Sequence, residues 1–164
     1  MQGSAMEIPS FIGKDIRELV AIMVAHRVDF VLVGGHAVGF HGHVRATMDV
    51  DFLVRPGEDN NARMMAALNE FGFGQAGIDP SIFTKEGHML SIGAKPNEVD
   101  FVTSLSGCAT DEIFDNAVTG RIGDTPLKII ALPELLLTKK AAGRPKDQLD
   151  VLELEAIRAM AGED

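Results

Sequence analysis

Two aspartates one residue apart, Asp49-Val50-Asp51, sit inside an apolar run, and a third, Asp100, is flanked by Val99 and Phe101. Side chains two apart on an extended strand share a face, so Asp49 and Asp51 project together while Val50 and Phe52 turn into the core. Carboxylates held that close repel each other unless a divalent cation fills the gap. Magnesium, a hard ion that prefers oxygen ligands and phosphate partners, is the natural occupant. With Asp100 on a neighbouring strand, three carboxylates can hold two ions, one beside an attacking hydroxyl and one against triphosphate oxygens, with Asp100 as the proton acceptor. Upstream, Gly34-Gly35 ends the apolar stretch 30–33 just before a predicted helix. Glycines there let backbone amides approach a phosphate at the positive end of the helix dipole.

These residues need a scaffold of strands and helices, and the hydrophobic pattern supplies one. Helical spacing predicts helices over 12–28, 60–71 and 134–142, and a final one over 145–160, with a short helix at 36–43. Pro133 suits a first helical turn, and Gly72 and Gly143 suit helix stops. Strands are expected at 30–33, 48–54, 98–103 and 127–131, with two shorter ones at 81–84 and 88–92. Strands alternating with helices give an α/β (α+β) class, a mixed β-sheet flanked by helices with C-terminal helices. The whole of 1–164 reads as a single domain, its core about 12–131 and its C-terminal helical part about 133–161.

Composition narrows the function classes. An apolar fraction of 46% with 24% charged residues describes a globular chain with no low-complexity tract. A formal charge of −9 disfavours a general nucleic-acid binder, since such affinity comes from Lys and Arg displacing counterions. A local patch of Lys139, Lys140, Arg144 and Lys146 can still meet RNA or a triphosphate. The single cysteine, Cys108, excludes an internal disulfide and points to a reducing cytoplasm. Neither a signal peptide nor a membrane span is expected.

The combined pattern resembles the nucleotidyltransferase superfamily of DNA polymerase beta type, whose signature is a Gly-Gly or Gly-Ser turn, then Asp-x-Asp, then a third carboxylate. Here those are Gly34-Gly35, Asp49-Val50-Asp51 and Asp100. The fuller string from Val31 to Val38, with His41-Gly42, Arg45-Ala46-Thr47 and Asp49 to Leu53, is similar to small bacterial nucleotidyltransferases of toxin-antitoxin or abortive-infection loci, as are Lys139, Arg144, Asp147 and Asp150 near the end. The resemblance spans roughly 30–154. It implies a nucleotidyltransferase core and transfer of a nucleoside monophosphate from a triphosphate such as ATP to a hydroxyl, with pyrophosphate released. Two Mg2+ ions, or Mn2+ in their place, would sit on Asp49, Asp51 and Asp100. Gly34, Gly35, His36, Arg45, Thr47, Lys139 and Arg144 would line the nucleotide. Many members carry Ser near the position of His36. The acceptor is left open among RNA, protein and a small molecule, and a cognate partner protein or a homo-oligomer is compatible with a chain this short.

Plainer roles compete for several of these residues. Arg45 and Thr47 can organise the strand rather than touch nucleotide, and Lys139 and Arg144 can be a solvated basic face. His36, His41 and His43 offer a zinc set only weakly, without a cysteine pair or a His-Glu-x-x-His helix. Two other functions also stay open: a catalytically degenerate nucleotide- or partner-binding domain, and a glycosyltransferase using Asp-x-Asp for a nucleotide diphosphate.

Overall fold

A computed structural model of the chain describes residues 5–162, so the outermost residues of the single domain expected over 1–164 lie outside it. Seven strands form one mixed sheet: β1 (Met6–Glu7), β2 (Phe30–Val33), β3 (Asp49–Val54), β4 (Met89–Ile92), β5 (Glu98–Val102), β6 (Val118–Ile122) and β7 (Thr125–Ile129), in the order β1-β6-β7-β2-β3-β5-β4. The helices are α1 (Lys14–Ala25), α2 (Gly34–Phe40), α3 (Glu58–Leu68), α4 (Thr110–Asn116), α5 (Leu132–Ala142) and α6 (Pro145–Met160). This is the mixed α+β architecture with C-terminal helices that the sequence pattern implies. Among the described residues no helix is long and apolar enough to cross a membrane.

The core begins where the apolar periodicity places it. Ile16, Leu19, Val20 and Met23 form the buried face of α1, which packs beside α3 and against β7. All four residues of β2 are buried, as befits a central strand covered on both faces. It pairs antiparallel with β3 and parallel with β7, while β3 runs parallel to β5.

An aromatic spine sets the register on which the carboxylates depend. Phe52 on β3 and Phe101 on β5 are register partners, both fully buried, with rings stacked 5.9 Å apart. Phe30 meets Phe52 edge-on at 5.4 Å, and Phe83 meets Phe101 at 6.2 Å. A slip of one residue would turn this apolar set to the opposite face, and truncating one such ring to alanine costs about 3–5 kcal/mol. Register on one face therefore fixes register on the other.

Among the departures from the expected elements, which include the two-residue strand β1, three have local causes. The segment 81–84 is a pair of turns rather than a strand. Asp79 accepts hydrogen bonds from the Ser81 backbone and hydroxyl, and Asn61 accepts from the Phe83 amide and donates to the Pro80 carbonyl. Phe83 is thus buried by a side-chain bracket and not by pleat alternation. The strand β6 was not expected, because Gly120 and Arg121 interrupt its apolar pattern; a two-residue turn at Gly123-Asp124 joins it to β7 as a hairpin. Nor was the seven-residue helix α4, too short to display a period.

Candidate functional site

Alternation along β3 buries Val50 and Phe52 and leaves Asp49 and Asp51 on the other face, half-buried. Because β5 runs parallel in matched register, Asp51 lies opposite Asp100 and Asp49 opposite Glu98. Four carboxylates therefore share one patch of sheet. Asp100 is only 5% exposed, and its Oδ1 has no hydrogen-bond partner. Oxygens of Asp49, Glu98 and Asp100 all come within 4.8 Å of one another.

Electrostatics register the crowding. Burial, then the charges of Asp49 and Asp100, push the Asp51 carboxyl up to about 7, against the pull of Lys139. Burial followed by a hydrogen bond and charge from Asp100 raises Asp49 as well. A buried carboxylate oxygen with nothing to accept from is costly, and a hard divalent cation answers both defects. The donor set, carboxylate oxygens alone, suits a hard cation that prefers oxygen ligands.

The glycine turn is built against this patch. Val33 pairs with Asp51 in the β2/β3 register, so the chain leaves β2 directly beside the Asp51 side chain. At Gly34 the backbone has φ +72°, and an added Cβ would collide with the Asp51 carboxylate; at Gly35 it would run into the Thr47 methyl. A side chain is excluded at Gly34 by conformation as well as by steric contact, and at Gly35 by steric contact alone.

His36, expected beside a nucleotide, is turned inward. It is 4% exposed, with Nδ1 2.5 Å from the Ser10 hydroxyl and Nε2 2.7 Å from that of Thr47. Both ring nitrogens are engaged by the protein, and burial lowers its pKa so that the neutral ring is favoured. Thr47 also donates to the Asp49 carbonyl at 3.3 Å. The Ser10–His36–Thr47 chain thereby steadies the start of β3. His41 uses Nε2 on the Ile130 carbonyl at 2.7 Å and His43 Nε2 lies 3.9 Å from Asp150, so the three histidines expected as a weak zinc set serve separate partners.

Among the expected basic residues, Lys139, Arg45 and Arg144 are each held by a carboxylate of α6. Lys139 is 7% exposed, with Nζ 3.1 Å from both Asp147 and Asp150. Arg45 donates Nε and Nη2 to the two oxygens of Asp150, each at 2.8 Å. Arg144 donates Nε to Asp147 at 2.6 Å. Burial alone would raise the carboxyls of Asp147 and Asp150, but hydrogen bonds and charge from Arg144, Arg45 and Lys139 hold them below the usual range.

These groups line one cleft of about 430 Å³, with Gly34, Gly35, Asp49, Asp51 and Asp100 as its sheet-side wall and Lys139, Arg144 and Lys146 as the wall contributed by the C-terminal helical part. The structure thus brings Gly34, Gly35, Arg45, Thr47, Asp49, Asp51, Asp100, Lys139 and Arg144 to one cleft; His36 lies behind it. Sequence reasoning missed Glu98, although Glu98-Val99-Asp100 repeats the acid-x-acid spacing of Asp49-Val50-Asp51. Lys95, which also lines the cleft, carries no such signal. A scan of the chain against protein-family models gave no match, and neither did a search of curated proteins.

Proposed function

We propose that the chain is a magnesium-dependent nucleotidyltransferase of the DNA polymerase beta type, moving a nucleoside monophosphate from a triphosphate to a hydroxyl acceptor. The observation that carries this reading is the juxtaposition of Asp49 and Asp51 with Asp100 across parallel strands, closed at one end by a glycine turn that fits around Asp51. Asp49, Asp51 and Asp100 would hold the ions, whose chemistry is neutralisation of charge on the triphosphate and leaving group. The acceptor oxygen bonds to the α-phosphorus as the bond to the bridging oxygen breaks. Pyrophosphate leaves, and the hydroxyl proton passes to the Asp100 carboxylate. Gly34 and Gly35 let the backbone approach the phosphates. Arg144 and Lys146 offer them positive charge, while Lys139, committed to two aspartates, contributes mainly by keeping that wall in place.

The test is incubation of the purified protein with each α-labelled nucleoside triphosphate, magnesium and a cell extract, with an Asp49→Asn, Asp51→Asn double variant as control. Label moved to RNA, protein or a small molecule by the wild type alone supports the assignment and names the acceptor class. Equal labelling by a folded double variant overturns it.

A second reading, a nucleotide- or partner-binding domain without catalysis, has its own observation in Leu149, Leu152 and Met160. These are exposed along one side of α6, a stripe of the kind that partners cover. Under that reading the wild type binds magnesium and triphosphate but transfers nothing.

A further inference from the structure

Among the described residues, the side chains that converge tightly enough to share one ion are Asp49, Glu98 and Asp100, with Asp51 outside the group. Around an octahedral ion with ligands at about 2.1 Å, neighbouring oxygens stand about 3 Å apart and opposite ones about 4.2 Å. Three oxygens within 4.8 Å of one another need only a small contraction to bind. Asp100, itself one of the three, supplies the independent sign that something belongs there: it is only 5% exposed, and its buried Oδ1 has no hydrogen-bond partner. Glu98 faces Asp49 directly across the strand pair. Asp51, by contrast, is packed against the glycine turn, with its carboxylate beside Gly34.

We propose that Glu98 is a metal ligand, completing with Asp49 and Asp100 a divalent-cation site that fills before any nucleotide arrives, while Asp51 serves a second ion that enters with the triphosphate. This rests on the reading of the carboxylate face as an ion site, and it adds a residue and an order of loading to it. With three charged ligands the first site keeps its ion between turnovers. The second, with fewer ligands of its own, depends on phosphate oxygens.

Titration of the nucleotide-free protein with Mn2+, following the free-ion signal by electron paramagnetic resonance, tests this directly. Wild type takes up one Mn2+ per chain, Glu98→Gln weakens uptake at least about tenfold, and Asp51→Asn binds the ion more tightly than Glu98→Gln does. Glu98→Asp, which keeps the carboxylate, retains more affinity than Glu98→Gln, separating a lost ligand from a disturbed fold. Unchanged uptake in Glu98→Gln overturns the inference, as does wild type that binds Mn2+ only together with triphosphate; either result leaves the nucleotidyltransferase reading standing. No uptake in either condition overturns both.

Discussion

The two walls of the cleft use the same side chain in opposite ways. On β3 and β5, Asp49, Asp51 and Asp100 face one another, and burial together with their mutual repulsion lifts the Asp51 carboxyl to about 7. On α6, Asp147 and Asp150 are more deeply buried, yet each is gripped by two basic groups and sits below its ordinary value. Burial does not separate the walls; the partners do. Charge left uncompensated is where a ligand can contribute binding energy, and charge already compensated is where the fold gains rigidity.

The same substitution on each wall is the sharpest way to break this contrast. Asp51→Asn should cut nucleotidyl transfer by about 10³ or more, the scale of a lost electrostatic group in a preorganised site, while thermal melting without metal shows no loss of stability, because a repelled carboxylate has been neutralised. Asp150→Asn should do the reverse to the fold. Lys139 and Arg45 lose a shared charge, and urea denaturation should show a deficit of about 3 kcal/mol, as for other broken buried pairs. If Asp51→Asn destabilised as much as Asp150→Asn, the two walls would not differ in kind.

Acidity should separate them as well. A carboxyl raised from 3.8 to about 7 disfavours its ionised form in the fold; the penalty is absent below 3.8 and complete above about 7. Melting temperature of the metal-free protein should therefore fall between those limits as pH rises, and added Mg2+ should recover more at the alkaline end. For Asp147 and Asp150 the sign is opposite: their lowered values stabilise the fold above the ordinary carboxyl range, and that contribution is lost on acidification below it. A melting profile flat from pH 4 to 7 would mean that the carboxylate face is better solvated than its geometry indicates. The smallest effect belongs to the bracket behind the cleft. Thr47→Val removes the hydroxyl from His36 and the Asp49 carbonyl, and calorimetry should find a loss of about 1–2 kcal/mol.

How much of this was legible in the sequence follows from how local each signal is. The run Phe30–Val33, the acid-x-acid spacing on β3 and the helical period of α1 and α6 are written in neighbouring residues, and the elements stand near where that spacing puts them. Asp100 was legible as a carboxylate between apolar neighbours. Glu98 carried the same signal, but its meaning depends on which strand lies alongside, a matter of register set by Phe52 and Phe101. His36 read as a nucleotide contact because it follows the glycines; its inward turn is decided by Ser10, 26 residues earlier, and by Thr47. Lys139 likewise reads as a triphosphate contact or as exposed basic charge until α6 folds back and supplies Asp147 and Asp150.

The bond between Arg45 and Asp150 joins residues 105 positions apart, and this bears on the order of biosynthesis. A growing chain has all the strands of its carboxylate face once Val102 has left the ribosome, but Arg45 and Lys139 remain without their acidic partner until α6 has been made. During translation the acidic strands are thus all made first, while the opposing half waits for the last helix. A nascent polypeptide halted between these points would carry the carboxylate-bearing strands without the basic residues' acidic partners on α6.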